Sequence, residues 1–308
     1  MIALMLALAL ALSLAACAGG TTQSDNDQTN LPQGGGTSNN DNNNDNNDDS
    51  GKTENNQISF SEVMVVDNAE CLIKITGIDP DNMWGYTLKA QLENKSADKT
   101  YMFSVMSAAI NGVECDPFFA SEVAAGKKAN EQIHFAKDEL EEYGVGDFTD
   151  IELTFRVYDS NDWMADEVAI ETVHIYPYGE DKAVPFVREA QPSDNVIIDN
   201  GSVTVIVTGY EEDPIWGYTV NLFLVNKTDK NVMFSANEAS VNGFMIDPFY
   251  ATSVVAGKCK FSSMRWSNST LEENGITEIE EIEFAFRAYN SDDWLADDFA
   301  NEVIILHP

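Results

Sequence analysis

Basic residues are scarce in this 308-residue chain. Its 17 Lys and Arg stand against 52 Asp and Glu, a formal net charge of −35. Nucleic acid and anionic lipid headgroups are held by Lys/Arg patches, so both are excluded as partners. The acidity is spread over both halves of the folded region rather than confined to a tail. Histidine is rarer still. None of His134, His174 and His307 sits in a triad-like pattern or has a His or Cys companion at zinc-ligand spacing. Carboxylate pairs are too common in so acidic a chain to signal glycoside hydrolysis. The sequence thus gives an expectation of no catalysis. Long apolar runs are missing too: residues 1–16 fall short of the about 20 that a membrane-spanning helix needs.

That short apolar run is informative for another reason. It ends in Leu14-Ala15-Ala16-Cys17, although no Lys or Arg precedes it. The segment resembles the lipobox of bacterial lipoproteins. The resemblance implies a signal peptide over residues 1–16, cleavage before Cys17 and lipidation of Cys17. It also implies an extracytoplasmic protein held at the cell surface by a membrane anchor, which two or more acyl chains make stable. Residues 17–57 then form the lipidated Cys and a disordered Asn/Asp-rich tether, too poor in apolar residues to repay the entropy of folding. As a flexible coil it would reach roughly 35 Å.

The rest of the chain is one unit written twice. Trp84-Gly85-Tyr86-Thr87 recurs as Trp216-Gly217-Tyr218-Thr219, and Asn94-Lys95 as Asn226-Lys227. Asn111-Gly112 and Asp116-Pro117-Phe118 recur as Asn242-Gly243 and Asp247-Pro248-Phe249, and Asp162-Trp163 as Asp293-Trp294. Two domains follow, 58–180 and 183–308. Tyr86, Leu88, Ala90 and Leu92 alternate with polar neighbours, as do Ile151, Leu153, Phe155 and Val157, and Ile282, Phe284, Phe286 and Ala288, which predicts strands. The Asn-Gly pairs predict hairpin turns, and Asp199-Asn200-Gly201 a third. A capping box at Ser269–Glu272 ending at Gly275, echoed by Asp138, Glu141 and Gly144, predicts a short helix per copy. About seven strands per copy give an all-β fold, two tandem β-sandwiches, with Trp84 and Trp216 placed where immunoglobulin-like domains keep a core tryptophan. These segments resemble uncharacterised immunoglobulin-like domains in surface lipoproteins of gut Firmicutes, which implies a fold and a compartment but no reaction. Cys71, Cys115 and Cys259 correspond to Val203, Ile246 and Lys128, so the fold does not depend on them. A Cys71–Cys115 bridge is open to an exported protein, beside buried thiols standing in for Val and Ile.

Two features suggest ligands. The acidic loops carrying Asp159, Asp162 and Asp166, and Asp293 and Asp297, cluster oxygens of the kind calcium takes. They lack EF-hand spacing, and Asp and Asn also favour plain structural turns. Beside those acids sit Trp163 and Trp294. Exposed, each ring could stack on a sugar while carboxylates bond its hydroxyls; folded back, each would plug the end of a sandwich. The reading is a non-catalytic, lipid-anchored binding or scaffolding protein of the cell surface with a protein or glycan partner. The alternatives are a glycan-recognition accessory module or a calcium-stabilised adhesion module.

Overall fold

A computed structural model describes residues 58–308 apart from Trp163 and Trp216. The expected signal peptide, the expected lipidation site Cys17 and the expected tether all fall outside the described residues. The first repeat runs β1 (Val63–Asp67), β2 (Cys71–Asn82), β3 (Gly85–Asn94), β4 (Tyr101–Ile110), β5 (Val113–Cys115), β6 (Ala120–Val123) and β7 (Lys128–Phe135). Helix α1 (Lys137–Glu142), β8 (Ile151–Asp159) and β9 (Ala169–Ile175) complete it. The second keeps the order: β10 (Asn195–Asp199), β11 (Val203–Asp213), β12 (Gly217–Asn226), β13 (Val232–Val241), β14 (Phe244–Met245), β15 (Tyr250–Val254), β16 (Cys259–Trp266), α2 (Asn268–Glu273), β17 (Ile282–Asn290) and β18 (Ala300–Leu306).

The protein is all-β, and each repeat folds two sheets over its own core. In the first, β1-β2-β3-β7 packs against β5-β4-β8-β9, with β6 also on β4. In the second, β10-β11-β12-β16 packs against β14-β13-β17-β18, with β15 also on β13. The alternation fixes which face turns inward: Leu88, Leu92, Ile151, Leu153, Val157, Ile282, Phe284, Phe286 and Ala288 are fully buried. Each repeat has nine strands, more than the expected seven; one of the extra strands arises because Asp116-Pro117 and Asp247-Pro248 each split a strand in two, proline being unable to donate to a ladder. Asn111 and Gly112, and Asn242 and Gly243, take the positive φ of tight hairpins (53° and 88°, 50° and 80°). The repeated Asn-Lys pair is structural. Buried Asn94 donates to the carbonyls of Lys99 and Val123, and Asn226 to those of Lys230 and Val254.

Two local expectations are corrected. The first concerns the tryptophans: Trp84 is 68% exposed, not core. Gly85, at φ 103°, turns the chain between them, and a Cβ there would lie 2.2 Å from the Phe135 carbonyl oxygen. The strand face therefore starts at Tyr86, and Trp84 is tipped into solvent. Among the described residues the buried tryptophan is Trp266, whose Nε1 donates to the Ile246 carbonyl at 3.0 Å. The second concerns the caps. Helix α2 starts earlier than the capping box implied, with Ser267 as N-cap accepting from the Thr270 amide. Helix α1 has no side-chain cap, and Asp138 lies inside its first turn. Of the two readings left open for the cysteines, the structure shows thiols and not a bridge: Cys71, Cys115 and Cys259 are all free. Burial raises their pKa, to about 11 for Cys71 and about 12 for the other two, which keeps them protonated and inert.

The repeats are joined by more than a linker. β16 pairs in parallel with β5, so one nine-stranded sheet runs through both repeats. The Cys259 amide donates to the Gly112 carbonyl at 3.1 Å. Tyr143 stacks on Phe261 with centroids 4.1 Å apart, and Phe186 packs edge-on against Phe223 and Phe261. Glu114 accepts from the Val255 amide, and Lys258 pairs with Glu152. The segment between repeats is itself pinned. Phe186 donates to the Asn111 carbonyl at 2.8 Å, and Arg188 holds Asp194 through both carboxylate oxygens.

Candidate functional site

The acidic loops follow β8 and β17. In the first, Asp159 accepts from the Asn161 amide at 3.0 Å and lies 3.7 Å from the Lys99 ammonium, while Asp162 accepts from the Met164 amide at 3.2 Å. In the second, Asn290 accepts from the Asp292 amide and Asp293 from the Leu295 amide. Asp166 and Asp297 are exposed. These side chains bond their own backbone two residues on, the Asx turn that Asp and Asn form locally. Among the described residues no group of three or more His, Cys, Asp or Glu side chains is placed to hold a metal ion. The neighbouring carboxylates serve arginine instead: Glu167 pairs with Arg156, and Asp298 with Arg287. The Arg287 guanidinium holds the Asp298 carboxyl below the usual carboxylate range.

Trp163 lies outside the described residues. Trp294 is 68% exposed, so it does not fold back to plug the sandwich end. The loop closes without it, through the Asp293–Asn290 and Ala296–Asp293 backbone bonds. Trp294, beside Leu295 and between Asp293 and Asp297, is an aromatic face rimmed by acids.

A stronger feature sits at the split edge strands. Phe118 and Phe249 are 93% and 97% exposed. Both hold a left-handed backbone, at φ 44° and 54°. An aspartate two residues back fixes each turn: Asp116 accepts from the Phe118 amide at 2.8 Å, and Asp247 from the Phe249 amide at 2.9 Å. A bulky residue at positive φ costs on the order of 1–3 kcal/mol. Leaving a phenylalanine in water forgoes about 1.5–3 kcal/mol of burial. Both repeats maintain this arrangement. The Asp-Pro-Phe segments were visible in the sequence as repeated aromatics; their exposure and strain were not, because alternation is silent about a turn that reverses the chain.

A concave surface completes the inventory. A cleft of about 740 Å³ lies where the repeats meet, between Tyr143, Phe186, Arg188, Asn221, Phe261 and Arg265. The histidines lie in separate places. His134 bonds Thr87 at 2.8 Å, His174 bonds Asp150 at 2.8 Å and stacks on Tyr176, and His307 bonds the Glu280 carbonyl. No protein-family model matches the chain, and no curated protein matches it significantly.

Proposed function

We propose that this is a non-catalytic binding or scaffolding protein of the cell surface, lipid-anchored through Cys17. In this reading two immunoglobulin-like sandwiches, 58–180 and 183–308, stand on the Asn/Asp-rich tether of residues 17–57. One observation carries the binding assignment. Each repeat spends conformational strain and forgoes burial to hold a phenylalanine, Phe118 or Phe249, almost wholly in solvent. Exposed, rigidly presented aromatics are the anchors on which protein interfaces concentrate their energy. The exposed Trp294 among acids favours a second reading, glycan recognition, in which indole stacking supplies affinity and carboxylates order the hydroxyls.

Two measurements test this. Cys17→Ala should move the protein from the membrane to the soluble fraction; a variant that stays membrane-bound refutes the anchor. Glycan and peptide arrays probed with the wild type, Phe118→Ala/Phe249→Ala and Trp294→Ala separate the ligand classes. Loss on a peptide array in the phenylalanine variant supports the first reading, and loss on a glycan array in Trp294→Ala supports the second. A ligand bound equally by all three proteins defeats both.

A further inference from the structure

The internal junction between repeats uses one edge from each, and the duplication leaves the counterparts of both edges uncovered. In the junction, β5 of the first repeat meets β16 of the second. The counterpart of β5 is β14, which pairs with β13 alone among the described residues. The counterpart of β16 is β7, the outermost strand of its sheet among the described residues. An open edge is a template for another strand. We propose that β14 of one copy adds to β7 of a second copy of this chain, repeating between molecules the contact that joins the repeats within one.

The residues at the two open edges carry the argument. Lys258 and Glu152 form an ion pair across the internal junction, both largely covered. Their counterparts are Lys127, just before β7, and Glu283, on β17 two strands in from β14; they are opposite in charge, exposed, and joined to no salt-bridge partner among the described residues. Where the junction sets Glu114 against Lys260, the open edges offer Met245 and Ala129. A charged pair has become an apolar pair at corresponding positions. Met245 is 72% exposed, and its neighbour Phe244 is half-exposed, whereas Val113, the counterpart of Phe244, is buried in the core of the first repeat. A second copy seated on β14 covers both side chains. The stacked rings Tyr143 and Phe261 correspond to Asn274 and Asn130, an amide pair able to hydrogen-bond. The aromatic cushion of Phe223 and Phe261 is replaced by Gln91 and Asn130, so the contact between copies is the weaker and more reversible of the two.

Such a contact is heterologous: each copy offers one edge and receives on the other. It therefore propagates head to tail into rings or open strings rather than stopping at a symmetric pair. The internal register places Cys259 opposite Val113; between copies the same register places Lys128 opposite Phe244.

Cross-linking in intact cells producing the full chain tests this. Lys128→Cys/Phe244→Cys, treated with a mild oxidant, should give a ladder of multimers on a non-reducing gel, and each single variant should give none. Adding Lys127→Glu or Glu283→Lys to the double-cysteine chain should erase the ladder, and adding both should restore it. Equal protease resistance and equal labelling by a membrane-impermeant reagent show that the variants fold and reach the surface. A single-cysteine variant that dimerises, a double variant that stays monomeric, or a ladder indifferent to charge reversal overturns the proposal.

Discussion

Trp266 provides a sharp test of how the second core is held. It is 1% exposed, and its indole nitrogen satisfies the Ile246 carbonyl at 3.0 Å. The first repeat puts Phe135, also 1% exposed, at the same place, edge-on to Phe148 at 6.2 Å. Two substitutions separate ring volume from the hydrogen bond. Trp266→Ala opens a cavity worth about 3–5 kcal/mol and leaves a buried carbonyl unpaired at a further 1–3 kcal/mol or so. Against a domain stability of about 5–15 kcal/mol, this brings the second repeat close to unfolding at room temperature. Trp266→Phe keeps most of the ring and loses the bond and a small volume, about 2 kcal/mol in all. At about 4 °C per kcal/mol for a unit of this size, the Phe variant should melt about 8 °C lower, and the Ala variant about 16–32 °C lower. Differential scanning calorimetry of the full chain measures both. If the two variants melt within about 2 °C of the wild type, the ring does not hold this core. If Trp266→Phe is as damaging as Trp266→Ala, the hydrogen bond outweighs packing and the partition above is wrong.

Gly217→Ala should also cost several kcal/mol. A Cβ there falls 2.0 Å from the Trp266 carbonyl oxygen at φ 102°, combining backbone clash with about 1–3 kcal/mol of conformational strain. Gly85→Ala does the same to the first core, and urea midpoints that stay at the wild-type value would refute both. Trp294→Ala should change stability by less than about 0.5 kcal/mol, since the ring packs on little; a markedly lower melting temperature would mean it is buried in solution. Burial at the junction raises the Glu114 carboxyl above its usual range, opposed in part by the Val255 amide and Lys260. In the pH interval just above the ordinary glutamate value, the folded chain keeps a proton that the unfolded chain has lost, so stability there falls as pH rises. Glu114→Gln should remove that slope, and a melting-temperature profile unaltered by the substitution would refute it.

The strand pattern was legible because each sheet has one buried face. Leu88 and Leu92, or Ile282, Phe284 and Phe286, announce that face by parity alone. The same parity misplaced Trp84. It lies an even step from Tyr86, but the positive φ of Gly85 breaks the pleat between them, and parity cannot cross such a residue. The acidic loops were legible as turns, since Asp159, Asp162 and Asp293 cap amides two residues ahead. The exposure of Phe118 and Phe249 was not, because it depends on strain rather than on hydropathy. The joint between repeats was hidden for a different reason. It is made by Glu114, Lys258, Cys259 and Phe261, and of these only Lys258 keeps its residue type in the other copy. Matching the copies draws the eye to what they share, whereas the joint lies mostly in what they do not.

The sheet that crosses the joint makes the molecule a ruler. Bending it between Phe118 and Phe249 would require breaking the Cys259–Gly112 bond and the ring stack at Phe261, so the two phenylalanines keep a fixed separation. If the two phenylalanines bind as proposed, a target that repeats at that spacing would be gripped twice, the second grip being an intramolecular event at high effective concentration. A target with another period would be gripped once. On that reading, rigidity at the joint would turn two modest contacts into a measurement of periodicity, with avidity reserved for ligands of the right pitch.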